Sequence, residues 1–101
     1  MSLAQQAQAD LEIARERFHR SLKNLTEEHG SIQPAAGMMT AAQQVAHVAY
    51  TIDWFIPRAF SPSGFDTPFE ALAEPVRTCT SLTAAKAWFD RAIDEIGRAH
   101  V

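Results

Sequence analysis

Thr40-Ala41-Ala42-Gln43-Gln44-Val45-Ala46-His47-Val48-Ala49-Tyr50-Thr51-Ile52-Asp53-Trp54-Phe55-Ile56-Pro57 is the stretch whose reading decides the fold class. Thr-Ala-Ala-Gln at its start is a capping box: the Thr40 hydroxyl can accept from the Gln43 amide while the Gln43 side chain reaches back. Val45, Val48, Ala49, Ile52, Phe55 and Ile56 then recur at helical spacing on one face. Residues advance about 100° each around a helix, so His47, Tyr50 and Trp54 gather on the other side. A helix that is apolar nearly all round has to be packed between neighbours. The pattern predicts a helix from about Thr40 to Phe55, closed by Pro57.

Upstream, Leu3, Ala7, Leu11, Ala14, Phe18, Leu22 and Leu25 alternate steps of three and four. This predicts a long first helix from about Leu3 to His29, stopped by Gly30 in the left-handed conformation, with Pro34 beyond. Downstream, Ser61-Pro62-Ser63-Gly64 is a turn-rich connection. Thr67-Pro68-Phe69-Glu70 predicts a short helical piece, limited by Pro75. A last helix starts near Thr80 or Ser81 and carries Leu82, Ala85, Phe89, Ala92, Ile96 and Ala99. Lys86 with Asp90, Arg91 with Glu95 and Asp94 with Arg98 are placed for ion pairs along its outer faces.

These elements make one all-α domain over residues 1–101, an up-and-down helical bundle with three long helices. The helical pattern runs to Val101 with no closing sequence, and two helices carry apolar residues beyond one stripe. The chain is therefore expected to be C-terminally incomplete, and to associate as a symmetric homodimer.

At 47% hydrophobic and 21% charged residues, the composition is globular. Nine Lys and Arg against twelve Asp and Glu leave a net charge of −3, so nucleic acid is not an expected partner. Arg15, Arg17, Arg20 and Lys23 are interleaved with Glu12 and Glu16, Glu16 standing four residues before Arg20, and read as a solvated helix face. No apolar run approaches the roughly eighteen residues that span a bilayer, so no membrane association is expected. Cys79 is the single cysteine and the N-terminus lacks the pattern of a signal peptide, which points to the cytoplasm.

No Gly-x-Ser-x-Gly elbow or Gly-rich phosphate loop is present, and catalytic residues are not readable. Cys79 reads as a partly buried small hydrophobe. Glu16-Arg17-Phe18-His19 has the Glu-x-x-His spacing of carboxylate-bridged metal bundles, but it occurs once and falls beside the apolar stripe, where a solvated flank is the simpler account. His29, in the last turn of the first helix, would as a cation suit the negative end of the helix dipole and cap it, and His100 reads as a surface residue. His47 differs from these. An imidazole in the middle of an apolar helix is either satisfied by neighbours or serves as a ligand, and spacing alone leaves both readings open.

The segment from Met39 to Tyr50, with its capped start and the apolar-His-apolar centre Ala46-His47-Val48, resembles the second helix of the DinB-like (YfiT-like) family. The resemblance implies a four-helix bundle, a divalent metal such as zinc, nickel or iron held by three histidines, and transferase or hydrolase chemistry on a small-molecule substrate, in some relatives thiol-dependent. His47 matches one ligand position; the other two form a His-x-x-x-His pair on a fourth helix, and this chain contains no such pair. A non-catalytic module for self-association or for binding another helix is the alternative.

Overall fold

The computed structural model describes residues 2–70 and 72–99. Helix α1 spans Leu3–Ser21, α2 Ala41–Ala59, α3 Glu74–Arg77 and α4 Leu82–Ala99, with a 3-10 turn at Glu27–His29; no strand occurs among the described residues. His100 lies outside them.

Both long N-terminal caps are made by side chains. Ser2 and Gln5 form a reciprocal capping box on α1, and Thr40 and Gln43 form one on α2, the Gln43 amide donating to the Thr40 hydroxyl at 3.1 Å. Helix α1 ends earlier than its apolar periodicity indicates. The chain turns at Leu22 to Asn24, and the turn drops Leu22 and Leu25 against the same core that Phe18 touches. Asn24 favours such local turns over helix. The next residues start afresh, the Thr26 amide donating to His29 Nδ1 at 2.9 Å. His29 thus caps the start of the 3-10 turn and is not a cation at the end of α1. Gly30 is right-handed, at φ −57° and ψ −31°. Its role is close approach: a Cβ there would stand 3.1 Å from the Thr80 carbonyl oxygen and 3.4 Å from the Leu82 nitrogen.

Pro57 lies inside α2 and does not close it; the helix continues to Ala59. Pro57 lacks the N–H that would bond the Asp53 carbonyl and its ring crowds that carbonyl, but its fixed φ is helical and only Arg58 and Ala59 of α2 follow it. Pro75 likewise begins α3, where a missing amide proton costs nothing, and residues 67–70 are irregular.

Helices α2 and α4 run in the same direction. Val45 and Ala46 pack with Leu82 and Ala85 and with Val76 of α3, and further along Ala49 packs with Phe89 and Ile93. Helix α1 runs the opposite way: Gln8 donates to the Gly97 carbonyl, Arg15 reaches Asp90, and Lys86 donates to the Leu25 carbonyl. This seam is polar. Arg15, its side chain 19% exposed, pairs with Glu12, Asp90 and Asp94, and His19 Nε2 lies 2.8 Å from Asp90 Oδ1. Asp90 and Asp94 therefore serve the α1–α4 interface and do not pair along α4 with Lys86 and Arg98; Arg98 takes Glu95 instead. Arg15 likewise leaves the solvated face on which Arg17, Arg20 and Lys23 remain.

The start of α4 is held from outside by Glu27. Its carboxylate accepts the Leu82 amide at 3.1 Å, the Thr83 amide at 2.7 Å and the Ser81 hydroxyl at 3.2 Å, while Ser81 Oγ accepts the Ala84 amide. Free amides and the positive end of the helix dipole favour a carboxylate here. Bonds from Thr83, then Ser81 and Leu82, hold the Glu27 carboxyl below the usual glutamate range despite some desolvation.

Because the folded pKa is depressed, this contribution is present above the ordinary glutamate value of about 4.3 and is lost as pH falls through the lower folded value. A Glu27→Gln variant is expected to unfold at lower urea than the parent at pH 7, with the gap narrowing as pH falls to about 3. A pH-independent gap in urea titrations would show that Glu27 acts through packing alone. Ala46, wholly buried between α2 and α4, admits no larger group: Ala46→Leu is expected to cost about 1–3 kcal/mol by overpacking, read by the same denaturation.

Candidate functional site

Helix α2 has two working faces. Ala42, Val45, Ala46 and Ala49 are buried toward α3 and α4. On an adjoining side His47, Tyr50 and Trp54 lie together, as their angular spacing requires, with Tyr50 reaching the edge of the core. The segment between α2 and α3 crosses this side as a strap. Gly64 turns it with φ +62°, a conformation that disfavours other residues. Phe69 then meets three rings of α2: His47 at 5.9 Å, Tyr50 at 5.8 Å and Trp54 at 5.1 Å between centroids. Phe65 meets Trp54 at 5.7 Å and Phe55 at 5.2 Å. Tyr50 also stands edge-on to Trp88, whose indole donates to Asp53 at 2.7 Å.

His47 is half-buried and borders an open depression of about 520 Å³ lined by Met38, Met39, Gln44 and Val48 as well as itself. The walls are mostly apolar, with one amide and one imidazole on them. Tyr50 and Trp54 do not line it, because Phe69 lies between them and the ring edge of His47. The His47 carbonyl accepts the Thr51 hydroxyl at 2.7 Å, an ordinary bond within the helix. Its ring nitrogens have no protein partner among the described residues, whereas His19 is tied to Asp90 and His29 to Thr26.

Glu16 and His19 do not share a site. Glu16 pairs with Arg20 on the exposed side of α1, while His19 turns inward to Asp90. Asp90 titrates away from the ordinary aspartate range. Burial alone would raise its carboxyl, but hydrogen bonds from His19 and Arg15 outweigh that and hold it below the usual aspartate range. Cys79 is half-buried against the core, its Sγ 3.6 Å from the Ser81 carbonyl oxygen.

The strap is the part of the site that periodicity does not disclose. Phe65 and Phe69, four residues apart in a stretch rich in Ser, Pro and Gly, are the available signal. Aromatic residues in a turn-rich connection have to land on something.

An all-helical bundle with a capped, histidine-bearing α2 crossed by an aromatic connection defines the class of protein. Residues 10–99 match the model of the DinB superfamily, and the chain belongs to that superfamily. No curated protein and no solved structure matches it.

Phe69→Ala is expected to lower stability by about 0.5–1.5 kcal/mol for each aromatic pair lost, beyond the area it uncovers. It should also shift tryptophan emission to the red as Trp54 meets water. Unchanged emission would show that the strap does not cover the indole.

Proposed function

We propose that this DinB bundle binds a divalent metal with His47 as one ligand and acts on a small molecule by group transfer or hydrolysis. The observation that carries the proposal is the state of the His47 ring: half-buried, oriented edge-on by Phe69, at the rim of an apolar depression, with neither nitrogen bonded to protein among the described residues. A neutral imidazole in that state is a competent donor to zinc, nickel or iron.

One imidazole does not make a metal site, since zinc takes three or four donors. Among the described residues no three His, Cys, Asp or Glu side chains converge to hold an ion. The described residues therefore do not fit a complete site. Further donors have to come from outside them or from the small molecule itself, for which a thiolate is a suitable soft ligand. The chain's own contribution is orientation and shelter: Phe69 sets the imidazole plane, and Met38, Met39 and Val48 surround it with apolar surface. No helix among the described residues is long and apolar enough to cross a membrane, which accords with a water-borne substrate.

Titrating Ni²⁺ into the protein while following the imidazole nitrogens by NMR tests the assignment. Paramagnetic broadening is expected at His47 before His19 and His29, with His47→Ala removing the earliest event. Broadening of His19 or His29 at lower Ni²⁺ than His47 would remove His47 as the preferred ligand.

A further inference from the structure

Two arginines among the described residues are drawn partly out of solvent, and they are provided for differently. Arg15 has Glu12, Asp90 and Asp94 around it. Arg58, in the last turn of α2, has no carboxylate in ion-pair range among the described residues. Its Nη1 donates to the Trp54 carbonyl at 2.8 Å, and its guanidinium lies over the Trp54 indole, 4.8 Å from the ring centroid. Its Nε is buried without an acceptor, and Trp54 Nε1 is in the same condition.

These two N–H groups are the buried side-chain nitrogens or oxygens left without a partner among the described residues, and they belong to neighbours one turn apart. Burial takes hydration from the Arg58 Nε–H and the Trp54 indole N–H, and nothing among the described residues replaces it at these two groups. The engaged donor of Arg58 is Nη1. The Nε/Nη2 edge, which grips a carboxylate through two parallel hydrogen bonds, remains available. Stacking on Trp54 and the bond to its carbonyl hold the guanidinium in place, so little further ordering is needed on binding. The surroundings are apolar: Phe55 and Phe65, each about half exposed, and Phe69 against Trp54. Asp66 and Glu70, the acidic residues of the strap, are exposed and pair with neither donor.

We propose that this corner of α2 binds a carboxylate carried on an aromatic or other apolar body. The carboxylate occupies the Nε/Nη2 edge of Arg58, with Trp54 Nε1 donating to one of its oxygens. The body lies against Phe65 and Phe69. Both donor nitrogens are buried in the present arrangement, so the ligand is admitted as the Phe65 and Phe69 rings, which lie against Trp54 on a segment with neither helix nor strand from Ser61 to Glu70, move aside. Phe69 touches both Trp54 and His47, which places the carboxylate site and the imidazole against the same strap ring. The proposal stands without any metal on His47.

Phenylacetate is the probe, with phenylacetamide as its uncharged counterpart, and the readout is NMR of the Arg58 Nε–H and the two indole N–H groups. Phenylacetate is expected to shift the Arg58 and Trp54 signals together and saturably. The Trp88 indole, already bonded to Asp53, should stay in place. Phenylacetamide should bind about tenfold more weakly or worse, and Arg58→Gln should weaken phenylacetate by a similar factor, with Arg58→Lys in between. Equal binding of acid and amide, no saturable shift at tens of millimolar, or an unaltered Arg58→Gln variant would each overturn the proposal. Should Arg58→Gln unfold, which circular dichroism would show, the comparison of acid with amide on the parent protein decides.

Discussion

Ala42, Ala46 and Ala49 of α2 and Ala85 and Ala92 of α4 are each almost wholly removed from solvent. Side chains this small let two helix backbones approach closely, and the larger residues Val45, Val76, Leu82 and Phe89 fill the space on either side. The fully buried residues of the three long helices lie on α2 and α4, while α1 has none. The two central helices run parallel, which demands a long return, and residues 60–81 supply it. The strap that crosses His47 and Trp54 is thus a consequence of the way the alanine seam is closed.

Helix α1 is attached by a different kind of force. Phe18, Leu22 and Leu11 reach the core only partly, and the remaining contacts are hydrogen bonds and ion pairs centred on Arg15. Burial would lower the Arg15 pKa, but Asp94, Glu12 and Asp90 outweigh it, so the pKa is raised and the cation is firmly held. Pairs with partners this exposed contribute little each and are screened by salt. Helix α1 is consequently the element with the least buried attachment, the property that sets where local opening begins. Ile13 and Leu3 on its open side remain exposed.

On the side of α2 turned away from the seam, polar groups stand among aromatic rings at two places. His47 faces a shallow, methionine-lined depression, and Trp54, with Arg58 stacked on it, lies against Phe65 and Phe69 of the strap. Phe69 touches the first and third of the rings His47, Tyr50 and Trp54 as well as the one between them. Movement of one loop side chain therefore changes access to both places. Helices crossed by an irregular loop are a common setting for a binding site.

By itself the sequence determined the class: three long helices, the Thr40 capping box and the grouping of His47, Tyr50 and Trp54 follow from spacing along one helix at a time, whereas the buried face of α2 is Ala42, Val45, Ala46 and Ala49 and not the Val45, Val48, Ala49, Ile52, Phe55 and Ile56 stripe that spacing marks out. Helix ends followed less well, since Gly30, Pro57 and Pro75 each admit more than one local conformation. Where α1 stops was decided by Leu22 and Leu25 reaching a core made by other segments. Pairings across the bundle were set only by the tertiary structure: Glu27 on the start of α4, His19 and Arg15 on Asp90, and Phe65 and Phe69 on α2. The reason is physical. Periodicity records which residues share a face of one helix, but a carboxylate 56 residues from the amide it caps leaves no trace in local spacing. Nor does an arginine show in sequence whether folding will bring it an acid, as it does for Arg15, or leave it stacked on an indole with its Nε unpartnered, as it does for Arg58.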